Sequence, residues 1–462
     1  MNEHIHEALN EISEAHITEA AKKKKRKGAI FLRIAAVAAA LAIIIGVFQL
    51  PRPVMAKAVS LADDCRVPAR PKWNDYEDRD EFKADLAAWE ADRNARSESR
   101  KAALSGLQGF FTEANGKFLS GSGNAIWSPA NAYIGLAMVA ELTEGNSRQQ
   151  ILDLLGTANT DTLRAQVSAV WETAYRDGNE ACQLANSLWL QKGLDYRQET
   201  MDALSYHYYA DVYQTNLKNA GGAIGAWLNN QTGGLLRNAK ATIPENAVLA
   251  LYSTLYFQSK WSSQFNASNN TKDVFHAPSG DTTVTYMNKK LAMMDYYYGD
   301  CFSAVRMGLK NGSSMWFILP DEGYAPADVL EDGQYMDMLL GNNWENVKYM
   351  KVNLSVPKFD VSGQQDLAGG LKEMGVTDVF DLNTANFSAI TSASPIYLTA
   401  ANQAARVQID EEGVKAAAYI EFPGATSPMP PEEIIDFIVD RPFLFVISDD
   451  FIPLFAGVVN EP

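Results

Sequence analysis

Histidine is scarce in this chain. Five are present, and His4, His6 and His16 fall within the first sixteen residues, leaving only His207 and His276 for everything beyond. Catalysis built on imidazole therefore has little material to work with. His276 sits in the turn-like run from Phe275 to Asp281 and His207 in a tyrosine-rich run, so both read as surface imidazoles and not as general bases. Cysteine is scarcer still: Cys65, Cys182 and Cys301 are odd in number, far apart and without a C-x-x-C pair, which argues against a disulfide framework and against a zinc site. A G-x-S-x-G elbow, an H-E-x-x-H helix, a phosphate-binding loop and a dinucleotide fingerprint are all missing. The expectation is no catalytic residue, no metal and no cofactor, and a membrane-bound hydrolase is disfavoured. Excess positive charge is also lacking. Forty Lys and Arg stand against 56 Asp and Glu, a net charge of −16, so nucleic acid is not an expected partner.

What remains is ordinary globular material. Of 462 residues, 47% are hydrophobic and 21% charged, which excludes a disordered, collagen-like or polytopic membrane chain. The length is about three times the ~150 residues usual for one domain, and it holds no internal repeat.

One long apolar run stands at the N-terminus. Lys22 to Lys27 is an unbroken basic stretch, and the residues from 28 to 50 that follow are mostly Ala, Ile, Leu, Val and Phe, with Arg33 near the basic end. About 20 such residues span a bilayer core as a helix, and a long basic side chain near the end of a span reaches the headgroups. The excess of positive charge places residues 1–27 in the cytoplasm and the remainder outside, with one transmembrane helix between. The same segment also fits a long signal sequence, because Val54-Met55-Ala56 offers small residues where a signal peptidase would cut, giving a secreted form cleaved near Ala56. The length of the leader favours the anchor. This N-terminus has a bacterial look.

Residues 51–102 open with Pro51, Pro53, Pro68 and Pro71 and run on into charged sequence, with Phe82, Leu86 and Trp89 at helical spacing. They read as a stalk ending in a helix. From residue 103 onward helical periodicity (Leu104 to Phe111, Tyr133 to Leu142, Ser147 to Leu155) gives way to strand-like runs at Leu184–Leu190, Ala247–Phe257, Met315–Leu319, Asn353–Phe359, Ala405–Ile409 and Phe443–Ile447. The pattern predicts an α+β domain with large sheets.

Asp410 to Pro431 combines two compositions. Glu411 and Glu412 precede Gly413-Val414-Lys415-Ala416-Ala417-Ala418-Tyr419-Ile420-Glu421-Phe422, a stretch without breakers, and the rest is a Pro/Gly/Thr/Ser loop. With period two, Val414, Ala416, Ala418, Ile420 and Phe422 share one uncharged face, while Lys415, Ala417, Tyr419, Glu421 and Pro423 share the other. An edge strand running into a loop accounts for this pattern. So does a loop able to become a strand, since alanines at 416–418 let a backbone pass between neighbours without side-chain clashes.

This stretch resembles the hinge and reactive-centre loop of the serpins, and Asp440-Arg-Pro-Phe-Leu-Phe-Val-Ile447 resembles their C-terminal signature. Further blocks are similar in the same order: Asn124-Ala-Ile-Trp-Ser-Pro-Ala-Asn131, Ala185-Asn-Ser-Leu-Trp-Leu-Gln-Lys192, Leu255-Tyr-Phe-Gln-Ser-Lys-Trp261, Phe317 to Gly323, Val356-Pro-Lys-Phe359 and Met374 to Phe380. The resemblance spans residues 103–462. It implies a serpin domain of three β-sheets and about nine helices with an exposed reactive-centre loop, acting as a suicide-substrate inhibitor of serine proteases. A protease would attack the loop, form an acyl-enzyme, and be carried away as the loop enters the main sheet as a strand. The hinge would comprise Glu411 to Ala418, and Ser128, Gln403 and Trp261 would lie at the shutter and breach of that sheet. The departures from the family pattern are Val414 in place of Thr or Ser, Tyr419 in place of a small residue, and Gln403 in place of a shutter histidine. Counting from Gly413 and from Pro430 puts the scissile bond after Ser427, although Pro428 follows it; Thr426 and Ala425 are the alternatives. Each is small and uncharged, which implies a target protease with a shallow primary pocket, of elastase or subtilisin type. The competing reading is a non-inhibitory serpin serving as a cell-surface binding or structural module, favoured by Val414, Tyr419 and Pro423.

Overall fold

In a computed structural model, residues 71, 76, 78–104, 107–176, 180–232, 243–340, 344–393, 395–414 and 433–462 are described. The first helices are α1 (Arg79–Leu104), α2 (Leu107–Phe118), α3 (Pro129–Leu142), α4 (Gly145–Leu154) and α5 (Thr160–Ala174). They are followed by α6 (Gln198–His207), α7 (Gly221–Gln231), α8 (Pro326–Asp332), α9 (Gln334–Leu339) and α10 (Leu367–Glu373). The strands begin with β1 (Ala125–Trp127), β2 (Cys182–Gln191), β3 (Ala210–Thr215), β4 (Leu249–Phe257), β5 (Ser259–Lys260), β6 (Thr271–Ala277), β7 (Gly280–Tyr298) and β8 (Phe302–Gly308). They end with β9 (Ser314–Pro320), β10 (Val347–Pro357), β11 (Phe359–Asp366), β12 (Asn402–Ile409), β13 (Gly413–Val414), β14 (Ile434–Ile438), β15 (Phe443–Asp449) and β16 (Ile452–Val459).

Local chemistry accounts for the element ends that matter here. Ser128 starts α3: its Oγ accepts from Asn131 N at 3.3 Å, and Pro129, with φ already near the helical value, follows it. Asn159 caps α5 in the same way through Thr162 N at 2.9 Å. On α1 the side chains of Phe82, Leu86 and Trp89 are half-buried while their neighbours are exposed, so the apolar stripe faces the domain, and the helix lies against α5. Strands β15 and β16 are buried at every position and pair antiparallel, which is why Phe443–Ile447 reads as an unbroken apolar run. Where α3, α5 and the end of α6 meet, the buried carboxylate of Glu141 takes Arg164 Nε at 2.7 Å and a nitrogen of the same guanidinium at 3.0 Å, and accepts Tyr208 Oη at 2.9 Å. A buried charge needs such partners.

Three sheets form, but the partition differs from the expected one. Nine strands make one sheet, in the order β1-β16-β15-β9-β8-β7-β10-β14 with β6 on β7, because the nineteen-residue β7 runs from one sheet into the next and fuses them. The sheet that would receive the loop is parted: β3-β2-β4 forms one half, and β11-β12 the other. Among the described residues β4 and β12 share no ladder. Among the described residues β13 is the strand that pairs with both sides, with β12 at Ile409 and Val414, and with β5 at Gly413–Lys260 and Val414–Ser259. Within the hinge expected to start an exposed loop, Gly413 and Val414 are thus already a strand. Among the described residues no helix is long and apolar enough to cross a membrane; the expected anchor at 28–50 lies outside them.

Candidate functional site: a hinge between two half-sheets

The chain reverses from β12 into β13 through a turn built by Asp410. Its Oδ1 accepts from Glu412 N at 2.8 Å and Gly413 N at 3.2 Å, and its own N donates to Gly413 O at 3.1 Å. An aspartate that bonds the backbone two residues on is the usual way to make so tight a reversal. The turn is then fastened to the segment after β5. Glu412 O accepts from Trp261 N at 3.0 Å, Glu411 O from Phe265 N at 3.1 Å, and Trp261 Nε1 donates to Asp410 O at 2.8 Å. Trp261 is fully buried, with its ring against Phe265 and Phe317, so it acts as a fixed post beside the opening.

Gly413 is required at its position. A Cβ there would overlap the Ser259 carbonyl oxygen and Lys260 Cα and stand 2.9 Å from Trp261 N, all backbone atoms that cannot turn away. Val414 follows with only 3% of its surface exposed, the first side chain of the segment to enter the core. On the other side of the turn, Glu411 Oε1 accepts from Lys358 Nζ at 2.6 Å and from Asn270 Nδ2. Burial raises the pKa of this carboxyl, but the hydrogen bonds from Lys358 and Asn270 outweigh it and hold the group below the ordinary glutamate value. Beneath the hinge, Glu180 Oε2 accepts both Ser259 Oγ and Lys260 N at 2.7 Å.

A second cluster ties the half-sheets together lower down. Gln403, on β12, clasps the backbone of Ser128 from both ends: its Oε1 accepts Ser128 N at 2.7 Å and its Nε2 donates to Ser128 O at 3.0 Å. Ser128 Oγ donates to Leu454 O on β16 at 2.6 Å. One helical turn on, Asn131 Nδ2 donates to Ser253 O on β4 at 3.0 Å, and its side-chain oxygen meets Ser253 Oγ. That hydroxyl also lies 2.6 Å from Asn186 Oδ1 on β2, whose Nδ2 donates to Tyr208 O at 2.7 Å. The N-terminus of α3 therefore holds β12 with one residue and β4 with another, across the gap. Gln403 and Ser128 are 7% and 2% exposed, so no water competes for these bonds.

Of the residues singled out in the sequence, Glu411, Glu412, Gly413, Val414 and Trp261 come together at the upper end of the opening, and Ser128 and Gln403 below it. Lys415, Ala416, Ala417 and Ala418, and the bond candidates Ala425, Thr426, Ser427 and Pro428, lie outside the described residues. Sequence reasoning missed Asn131, Asn186, Ser253, Lys358 and Asn270. Asn131, Asn186 and Lys358 lie inside quoted blocks, yet nothing in a linear pattern says that two asparagines 55 positions apart share one serine hydroxyl. His276 is exposed and paired with Asp281 at 2.8 Å, a surface ion pair that raises its pKa.

The site is thus an α+β domain with a parted sheet and a two-residue strand seated at the mouth of the opening. A family model described as Serpin (serine protease inhibitor) matches residues 112–462, and the chain belongs to that family. Among relatives, the chain is 27% identical over 355 residues to alpha-1-antiproteinase of Callosciurus caniceps, covering 74% of this chain and 84% of that one. It is 25% identical over 366 residues to Serpin-Z1C of Triticum aestivum, covering 74% and 91%. Among solved structures, the native state of the thermophilic serpin tengpin superposes with a TM-score of 0.69 at 22% identity, covering 77% of this chain and 93% of tengpin, a likeness of fold.

Proposed function

We propose that the chain is a suicide-substrate inhibitor of serine proteases that works by inserting its cut loop into the parted sheet. The observation that carries this reading is the seating of Gly413–Val414 between β5 and β12, in line with the opening between β4 and β12. Insertion is a continuation of a ladder already begun. Each further residue adds hydrogen bonds on both sides, and burial of Ile420 and Phe422 contributes about 1.5–3 kcal/mol each. Pro423 forfeits one bond late in the path. The protease first attacks the loop as a substrate, and completion of the strand drags the acyl-enzyme across the domain before water can release it.

The bait residues Ala425, Thr426 and Ser427 support a target with a shallow pocket for the residue ahead of the cut, of elastase or subtilisin type. Residues 28–50 support a single-pass tether with the inhibitor outside a bacterial-type cell and residues 1–27 inside; cleavage near Ala56 would yield a secreted form. Residues 51–102 serve as the stalk.

The test is to mix the exported domain with an elastase and to measure both covalent complex and melting temperature. Inhibition requires a complex stable in denaturing electrophoresis, and cleaved protein must melt tens of degrees above intact protein, at roughly 2–4 °C per kcal/mol. Plain cleavage with an unchanged melting point would sink the inhibitory reading and leave a non-inhibitory binding module.

A further inference from the structure

Away from the parted sheet, a crevice of about 500 Å³ opens where β7, β8, β10, the end of β9 and the start of β14 converge. Its walls are of two kinds. One is apolar and aromatic: Tyr296 and Tyr298 stack with ring centroids 6.3 Å apart, and Met350 and Ile435 line the crevice with them. The other is polar and carries an acidic excess. Asp321 lines the crevice and carries no side-chain hydrogen bond among the described residues. Ser303 lines it too, is 8% exposed, and its hydroxyl has no partner among the described residues.

Asp321 feels the Arg441 charge but makes no hydrogen bond to it, because that guanidinium is directed elsewhere. Arg441, which acts on Asp321 through space, directs its guanidinium to Asp440 Oδ1 at 2.9 Å and Pro320 O at 3.1 Å. Lys348 stands 3.9 Å from Glu433. Of the neighbouring carboxylates, Asp328 accepts from Ala325 N at 2.7 Å and Asp300 from Gln334 Nε2 at 2.8 Å. Burial raises the pKa of Asp321, and burial, with a smaller push from Asp332, Asp321, Asp328 and Asp300, raises that of the Cys301 thiol; those four carboxylates give this corner an acidic excess. A crevice of this size suits a small molecule. Its free carboxylate and free hydroxyl call for a donor with a positive charge, and its tyrosine faces attract a cation or stack against a ring.

We propose that this crevice binds a small primary ammonium with an aromatic body, its cation held by Asp321 and Ser303 and its ring laid against Tyr296 and Tyr298. The site is separate from the hinge and does not depend on the inhibitory reading. Glu433 to Ile435 form its outer lip, and β14, which starts there, pairs among the described residues with β10 alone. A bound amine therefore bridges that strand to β7 and to the turn after β9.

The test uses the full-length protein titrated calorimetrically with tyramine, with 4-hydroxyphenylacetate as the anionic counterpart of the same ring. Tyramine binds and the acid binds at least about tenfold more weakly. Asp321→Asn and Ser303→Ala each weaken tyramine at least about tenfold, with the unliganded melting temperature of each variant measured separately to show that it folds. Saturable binding of tyramine that survives both substitutions, equal binding of the acid, or no heat from tyramine overturns the proposal. Should one variant fail to fold, the other decides.

Discussion

Replacing Gly413 with alanine adds one carbon where there is only backbone to receive it. The overlapping atoms belong to Ser259, Lys260 and Trp261, and all three are pinned: Lys260 N and Ser259 Oγ by Glu180, Trp261 N by Glu412 O. Relief must come from the hinge, which is driven out of the sheet. Its departure exposes Val414, about 1.5–3 kcal/mol, and breaks the Asp410 N to Gly413 O bond and the Gly413 N to Asp410 Oδ1 bond, about 1 kcal/mol each. The hinge seat thus loses about 3–5 kcal/mol, enough to empty it almost entirely. On the proposed mechanism every later residue must enter behind position 413, so Gly413→Ala is expected to leave a substrate in place of an inhibitor. Elastase should cut the variant completely while the yield of complex in denaturing electrophoresis falls by at least about tenfold, the partition shifting by the same few kcal/mol. A variant that traps protease at the wild-type yield, with an unaltered melting temperature, would refute the claim that the seat needs glycine.

Gln403→Leu leaves the buried Ser128 N–H without its partner at a cost of about 1–3 kcal/mol, while Ser128 O keeps its bond from Ala132 N at 3.0 Å, so the intact protein should melt a few degrees lower; an unshifted melting curve would deny the clasp any hold on the sheet. Glu411→Gln removes the charge facing Lys358. Because the folded-state pKa of Glu411 lies below the ordinary value of 4.5, its contribution is fully present above that value and fades as pH falls through the lowered one. The melting difference between wild type and Glu411→Gln should therefore hold from pH 7 to 5 and shrink in more acid solution; a constant difference would assign it to packing.

Much of the architecture was legible in the sequence, since strands buried on both faces leave continuous apolar runs and Ser128-Pro129 marks a helix start. Five of the six expected strand runs and the half-buried stripe at Phe82, Leu86 and Trp89 follow from periodicity alone, whereas Asn353–Phe359 straddles the break between β10 and β11 at Lys358. The fusion of two sheets through β7 was not legible, because Gly280–Tyr298 reads equally well as two strands joined by a bend. Nor was the parted sheet, since nothing local to Leu249–Phe257 or Asn402–Ile409 says whether two strands lie side by side or stand apart. At the site, Glu411, Gly413, Ser128 and Gln403 were found through resemblance. Asn131, Ser253 and Asn186 act only through one another, and a network made of separate elements leaves no spacing to read.

The clasp on Ser128 is an amide, and an amide does not titrate. It accepts with one end and donates with the other at any pH the protein survives. An imidazole doing the same work would have to stay neutral, with one nitrogen bare to accept, and would surrender that role on protonation. Gln403→His should accordingly lose stability as pH drops from 7 towards 5, because the folded state depresses the imidazole pKa below its free value, while the native protein does not. The latch between the two halves of the sheet is indifferent to acid, and mild souring of the surroundings alone will not spring it.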